Sequence, residues 1–166
     1  MVMRRKNWVN RKLLTVAAVA IIFTALLLVP AAYAAESLEG SEQNEVGLFL
    51  GGSHHSDDNG FSVGLDYEHH ISDIFGIGGL VEYTTEDFDS WVVAAPIYVH
   101  PYMGLRLLAA PGFENRESEN KFLFRAGIAY QIPVAKGVVL TPEYNVDFIT
   151  NGEKVHVYGI SVGIGF

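Results

Sequence analysis

The sequence predicts an all-β fold, an eight-stranded antiparallel up-and-down transmembrane β-barrel. Three observations carry this. Apolar and polar residues alternate through eight successive stretches. The connections are polar and acidic at one end of those stretches and tight at the other. Aromatic residues cluster near both ends of the apolar face.

The 166 residues suffice for one domain. With 17 glycines and 12% aromatics, the composition is too apolar for disorder and too glycine-rich for a helical bundle. The absence of cysteine excludes disulfides, thiolate metal sites and lipoprotein-type acylation. Residues 1–34 hold five cations and no acids, so the other 132 carry six Lys and Arg against 19 Asp and Glu, a net of −13. A body this acidic repels nucleic acid and argues against such a partner.

The chain opens with a basic stretch, Met1 to Lys12, followed by an apolar run from Leu13 to Val29. Pro30 ends the run, and Ala32-Tyr33-Ala34 supplies a small-x-small site before Ala35. This is the layout of a cleaved signal peptide over 1–34 for general export. The alternative is a membrane anchor, since the run borders on spanning length. Residues 35–44 are polar and acidic, a short tether, and the barrel is expected over 45–166.

The first segment, 45–52, is apolar on both sides, so its faces are ambiguous. The second sets Phe61, Val63, Leu65, Tyr67, His69 and Ile71 against Ser62, Gly64, Asp66 and Glu68. The third, 74–84, sets Phe75, Ile77, Val81 and Tyr83 against Gly76, Gly78, Leu80 and Glu82. In the fourth, 91–99, Trp91, Val93, Ala95, Ile97 and Val99 oppose Val92, Ala94, Pro96 and Tyr98. The fifth, 102–110, places Met103, Leu105 and Leu107 opposite Gly104, Arg106 and Leu108. The sixth, 121–131, places Phe122, Phe124, Ile128 and Tyr130 opposite Leu123, Arg125, Gly127 and Gln131. The seventh, 138–149, has Leu140, Pro142, Tyr144, Val146 and Phe148 against Thr141, Glu143, Asn145 and Asp147. The eighth, 155–166, has Tyr158, Ile160, Val162, Ile164 and Phe166 against Gly159, Ser161, Gly163 and Gly165.

Polar loops are expected over 53–59, 84–90, 112–120 and 150–153, and tight connections at Ser72-Asp73, His100-Pro101 and 132–137. A lipocalin-type barrel would turn the apolar face inward onto a ligand. Here the polar face is mostly Gly, Ala and Ser, which suits a narrow lumen better than a water-exposed sheet. The apolar face carries Phe61, Tyr83, Trp91, Phe122 and Phe148 at the loop end and Tyr67, Phe75, Tyr130 and Phe166 at the turn end. Two such girdles mark the headgroup levels of a bilayer.

The alternating terminus Tyr158, Ile160, Val162, Ile164, Phe166, together with eight strands and an export signal, resembles the small outer-membrane barrels, the OmpA transmembrane-domain, OmpX and OmpW-like group. Leu105–Glu114 (LRLLAAPGFE) and Thr141–Asp147 (TPEYNVD) look like segments of uncharacterised members. The resemblance implies a bacterial outer-membrane address, contact with outer-membrane lipids and lipopolysaccharide, and reading of the last strand by the barrel-assembly machinery. It names no activity and no surface ligand.

The enclosed face carries Asp66, Glu68, Glu82, Glu143 and Asp147 with Arg106 and Arg125. A lone buried charge costs several kcal/mol, so these should pair or be hydrated, with Arg125–Glu143 as a cross-strand pair and Asp66 within reach of Arg106. The reading is a charge plug, non-enzymatic, with a structural or surface-interaction role. A narrow cation-preferring channel and a lipid A-modifying enzyme are the alternatives. His54, His55, Asp57 and Asp58, with Glu86, Asp87 and Asp89, match no metal motif, and no cofactor is expected. His69-His70 and His100-Pro101 read as interfacial or turn residues rather than ligands. His156 and Ser161 lie five apart on one strand, so they face opposite sides and form no nucleophile–base pair.

Overall fold

A computed structural model describes residues 43–56, 58–85, 88–102, 104–116, 119–150 and 152–166. The expected signal peptide over 1–34 and nearly all of the expected tether lie outside the described residues. Ten strands follow in chain order: β1 (Asn44–His55), β2 (Asp58–His70), β3 (Phe75–Thr84), β4 (Ser90–Ala94), β5 (Ile97–Tyr102), β6 (Leu105–Arg116), β7 (Glu119–Tyr130), β8 (Ile132–Ala135), β9 (Val138–Ile149) and β10 (Lys154–Gly165). Eight of them, β1, β2, β3, β4, β6, β7, β9 and β10, pair antiparallel in a closed cycle, each with its neighbour, and β10 meets β1. Closure pairs each strand of this ring on both sides, which removes the free edges of an open sheet.

The two further elements are short. β5 shares the position of β4 between β3 and β6. Pro96, which has no N–H to give the ladder, separates them. The backbone stays paired across the gap, since Ala95 N donates to Pro111 O at 2.9 Å and Gly78 N to Pro96 O at 3.0 Å. β8 pairs only with β9, from Ile132↔Leu140 to Ala135↔Val138.

Pairing resolves the ambiguous first strand. Glu45, Gly47, Phe49 and Ser53 are buried inward, while Val46, Leu48 and Leu50 face out. Phe49 fits because its ring occupies the space beside Gly51 and Gly159, where a Cβ would lie within 2.6 Å of it.

Three expected connections are different. The 53–59 loop is mostly strand: the β1–β2 ladder runs to His55↔Asp58, and Ser56 takes a positive φ of 53° at the turn. The 112–120 loop is likewise strand out to Arg116↔Glu119. Polarity there does not mark where the ladder stops. Cross-strand bonds such as His54 Nδ1···Asn59 Oδ1 (2.9 Å) and Asn115 Nδ2 to Asn120 Oδ1 (2.7 Å) carry the hairpins on. His100-Pro101 is not a turn. It lies within β5, and the next strand is entered through Gly104, which takes φ +76°.

Candidate functional site

The exterior holds most of the large apolar side chains, among them Phe61, Ile77, Val93, Ile97, Phe124, Ile128, Tyr158, Ile160 and Val162, all exposed. Trp91 packs on Tyr83 with ring centroids 4.8 Å apart, and Phe113 meets Phe122 edge-on at 5.8 Å, both pairs at the loop end. Tyr158, Ile160, Val162, Ile164 and Phe166 form one outward row along β10. The terminus is tied to the first strand, with Asn44 N donating to Phe166 O at 3.1 Å and Phe166 N to Asn44 O at 2.8 Å.

The interior is filled in tiers. At the loop end Phe88, only 2% exposed, turns inward onto Val92, Leu123, Ile149, Val155 and Val157. Arg116 lies over its ring at 5.3 Å. Below, the buried hydroxyls of Ser53, Ser62 and Thr84 bond one another, Ser53–Ser62 at 2.7 Å and Ser62–Thr84 at 2.8 Å.

The next tier is ionic. Arg125 donates Nε to Asp147 Oδ1 at 2.6 Å, Nη2 to Asp147 Oδ2 at 2.7 Å and Nη1 to Glu82 Oε2 at 2.7 Å. All three side chains are at most 5% exposed. The fork on Asp147 follows from register, since Arg125 and Asp147 are direct partners on β7 and β9. Bidentate, charge-assisted contacts of this length are the strong class of hydrogen bond.

The Arg106 tier lies toward the turn end. Its Nη1 is 3.6 Å from Glu45 and from Glu68 and 3.9 Å from Asp66, and Nη2 is 4.0 Å from Glu143. Tyr98, fully buried, lies under the guanidinium at 5.1 Å. Glu143 accepts from Ser161 Oγ at 2.6 Å and from Asn145 Nδ2 at 3.2 Å. Gln131 Nε2 donates to Glu45 at 3.2 Å, and Glu68 Oε1 is 2.7 Å from His100 Nε2. Between the two arginine tiers lies a cavity of about 30 Å³, lined by Phe49, Asp66, Leu80, Tyr98, Arg106 and Arg125 among others. That volume suits one water molecule and no permeating solute.

The seven charges expected on the inner face thus divide into Glu82, Arg125 and Asp147 in one tier and Asp66, Glu68, Arg106 and Glu143 in the other. The expected Arg125–Glu143 pair does not form. Glu143 stands opposite Ala129, two inward positions nearer the turn end. Judging height from strand ends misplaced it because β9 starts level with β8 rather than with β7. Glu45 and Glu114, both buried, escaped the reading, the first through its ambiguous strand and the second through its assignment to a loop. His100 escaped through its assignment to a turn. Ser161 is buried while His156 faces out and bonds Tyr144 OH at 2.6 Å, so the two stand on opposite faces of β10.

No known protein family and no curated protein matches the chain in sequence. Solved structures do match in fold. The N-terminal β-barrel domain of Pseudomonas aeruginosa OprF is 13% identical, covering 77% of this chain and 100% of its own, with a TM-score of 0.56. Ail, the attachment invasion locus protein of Yersinia pestis, in complex with the heparin analogue sucrose octasulfate, is 17% identical over 74% of this chain and 96% of its own, at 0.52. A de novo designed transmembrane β-barrel is 17% identical over 76% and 98%, at 0.51. The chain has the fold of the small outer-membrane β-barrels. At these identities the likeness concerns the fold, and it agrees with an apolar, aromatic-girdled exterior around a polar interior.

Proposed function

We propose that this chain is a non-enzymatic outer-membrane barrel with a closed lumen, serving the envelope as a structural or surface-contact element. The observation that carries the reading is the Arg125–Glu82–Asp147 triad, which spans the interior from β7 to β3 and β9 with three bonds of 2.6 to 2.7 Å. The apolar Phe88 tier and the Arg106 tier place further buried side chains in the lumen among the described residues. The channel alternative therefore has no support in the packing, and the separation of His156 from Ser161 removes the one pair considered for lipid A chemistry.

In this reading the precursor is exported through residues 1–34 and the outward row ending in Phe166 is read during barrel assembly. The wall meets outer-membrane lipid and lipopolysaccharide. Ail is solved with a sulfated sugar. The acidic residues at the loop end of this chain, Asp58, Asp89 and Glu119, repel such an anion and suit the divalent-bridged headgroup layer better. The test is ion flux from loaded vesicles containing protein purified from membranes of cells making the full chain. Leakage equal to that of protein-free vesicles is expected. Reproducible protein-dependent flux overturns the closed-lumen reading.

A further inference from the structure

We propose that Glu68, His70 and His100 form a binding site for a divalent transition-metal ion of the zinc type at the turn-end mouth of the barrel. Their ligand atoms all lie within 4.8 Å of one another. Glu68 Oε1 is 2.7 Å from His100 Nε2 and 3.6 Å from His70 Nδ1, and the imidazole centroids are 5.2 Å apart. Bonds of about 2.0–2.2 Å to nitrogen and carboxylate oxygen put tetrahedral ligand atoms roughly 3.4 Å apart, so small side-chain adjustments suffice to enclose an ion. Two imidazoles and one carboxylate with a position left open is a donor set that zinc accepts.

The wall is built to leave this space. Glu68 and His70 are inward neighbours on β2, and His100 follows Tyr98 on the inner face of β5. β3 runs between these strands, and its inward positions at this level are Gly76 and Gly78, paired with His70 and Glu68 on one side; Gly76 pairs with Tyr98 on the other. A Cβ on Gly76 would collide with the Glu68 carboxylate. The two glycines let side chains from second-neighbour strands meet across the strand that separates them.

Two independent features point to a cation. Glu68 is fully enclosed, at 0% exposure: Oε1 faces both imidazoles, while Oε2 lies 3.6 Å from Arg106 Nη1 and has no hydrogen-bond partner among the described residues. Its nearest guanidinium, Arg106, is the one Lys or Arg among the described residues paired with the four carboxylates Glu45, Asp66, Glu68 and Glu143. A divalent ion offsets that excess, and Arg106 then holds Glu68 from the outer side as metal-ligating carboxylates are commonly held. His70, at 26% exposure, supplies the route from solvent. His100 ligates through Nε2 as the Nδ1–H tautomer, releasing its bond to Glu68 Oε1. The other four histidines are engaged elsewhere: His54 with Asn59, His55 with the Lys154 carbonyl, His69 with Asn44 and His156 with Tyr144.

The test uses protein purified in detergent from membranes of cells making the full chain, stripped with chelator. Zinc is titrated by calorimetry, and cobalt(II) is added as a spectroscopic probe. One zinc per chain is expected, with cobalt bands of tetrahedral intensity. His70→Ala, His100→Ala and the isosteric Glu68→Gln should each weaken binding at least about tenfold, while His54→Ala with His55→Ala leaves it unchanged. Wild-type protein that takes up no zinc overturns the proposal, whatever the variants do. So does uptake that survives in the His70→Ala/His100→Ala double variant, or uptake abolished by the loop pair instead.

Discussion

Replacing Arg125 by Met leaves the carboxylates of Glu82 and Asp147 buried without a counter-charge. Both are at most 5% exposed, so water cannot take over the three bonds of 2.6 to 2.7 Å without opening the wall. Removing one partner of a buried ionic cluster costs about 3–5 kcal/mol. At about 1.4 kcal/mol per factor of ten, the folding equilibrium falls by roughly two to nearly four orders of magnitude. Most of that loss is the cost of stranded charge, so Arg125→Met combined with Glu82→Gln and Asp147→Asn should recover all but about 1–2 kcal/mol. The assay is reversible urea unfolding in lipid vesicles, followed by the fluorescence of Trp91 at the bilayer interface. A loss below about 1 kcal/mol in the single variant would mean the tier is hydrated rather than sealed. A triple variant as unstable as the single one would refute the stranded-charge account as well.

Gly78→Ala drives a methyl into the Tyr67 carbonyl of the neighbouring strand and should cost about 1–3 kcal/mol. Gly79→Ala, with nothing within 4 Å of its added carbon, should stay within about 0.5 kcal/mol in the same unfolding assay. Ile160→Arg, exposed near the middle of β10, should cost about 2–4 kcal/mol, against about 0–1 for His156→Arg near the loop end. Equal costs at the two positions would contradict a bilayer-facing wall. Phe88→Ala empties the loop-end tier and should cost about 3–5 kcal/mol, and a neutral outcome would show that this tier is not packed in solution.

The wall was legible in the sequence because alternation has a period of two and puts the large apolar side chains on one face. Seven of the eight segments take the faces read from their residues, and the first, 45–52, was ambiguous for a physical reason. Phe49 is apolar yet points inward, in space left by Gly51 and Gly159 on its own and a paired strand, so its environment is set by partners and not by its neighbours in sequence. Strand lengths were underestimated at the loop end, since the ladder continues through polar residues. Which inward charges meet was not legible, since that depends on register. A shift of two residues would have exchanged Asp147 for Asn145 opposite Arg125. The Glu68–His70–His100 cluster needed more still, because its members come from strands that do not pair with each other.

The central claim is that the lumen is closed, and single-barrel electrical recording tests it most directly. Protein purified from membranes of cells making the full chain is inserted into a planar bilayer, and current is followed under applied voltage. The account predicts a silent baseline from a barrel shown by its unfolding behaviour to be folded. Reproducible conductance steps in the unaltered protein, shifted when Arg106 or Arg125 is made neutral, would contradict it and make the charged tiers the filter of a channel.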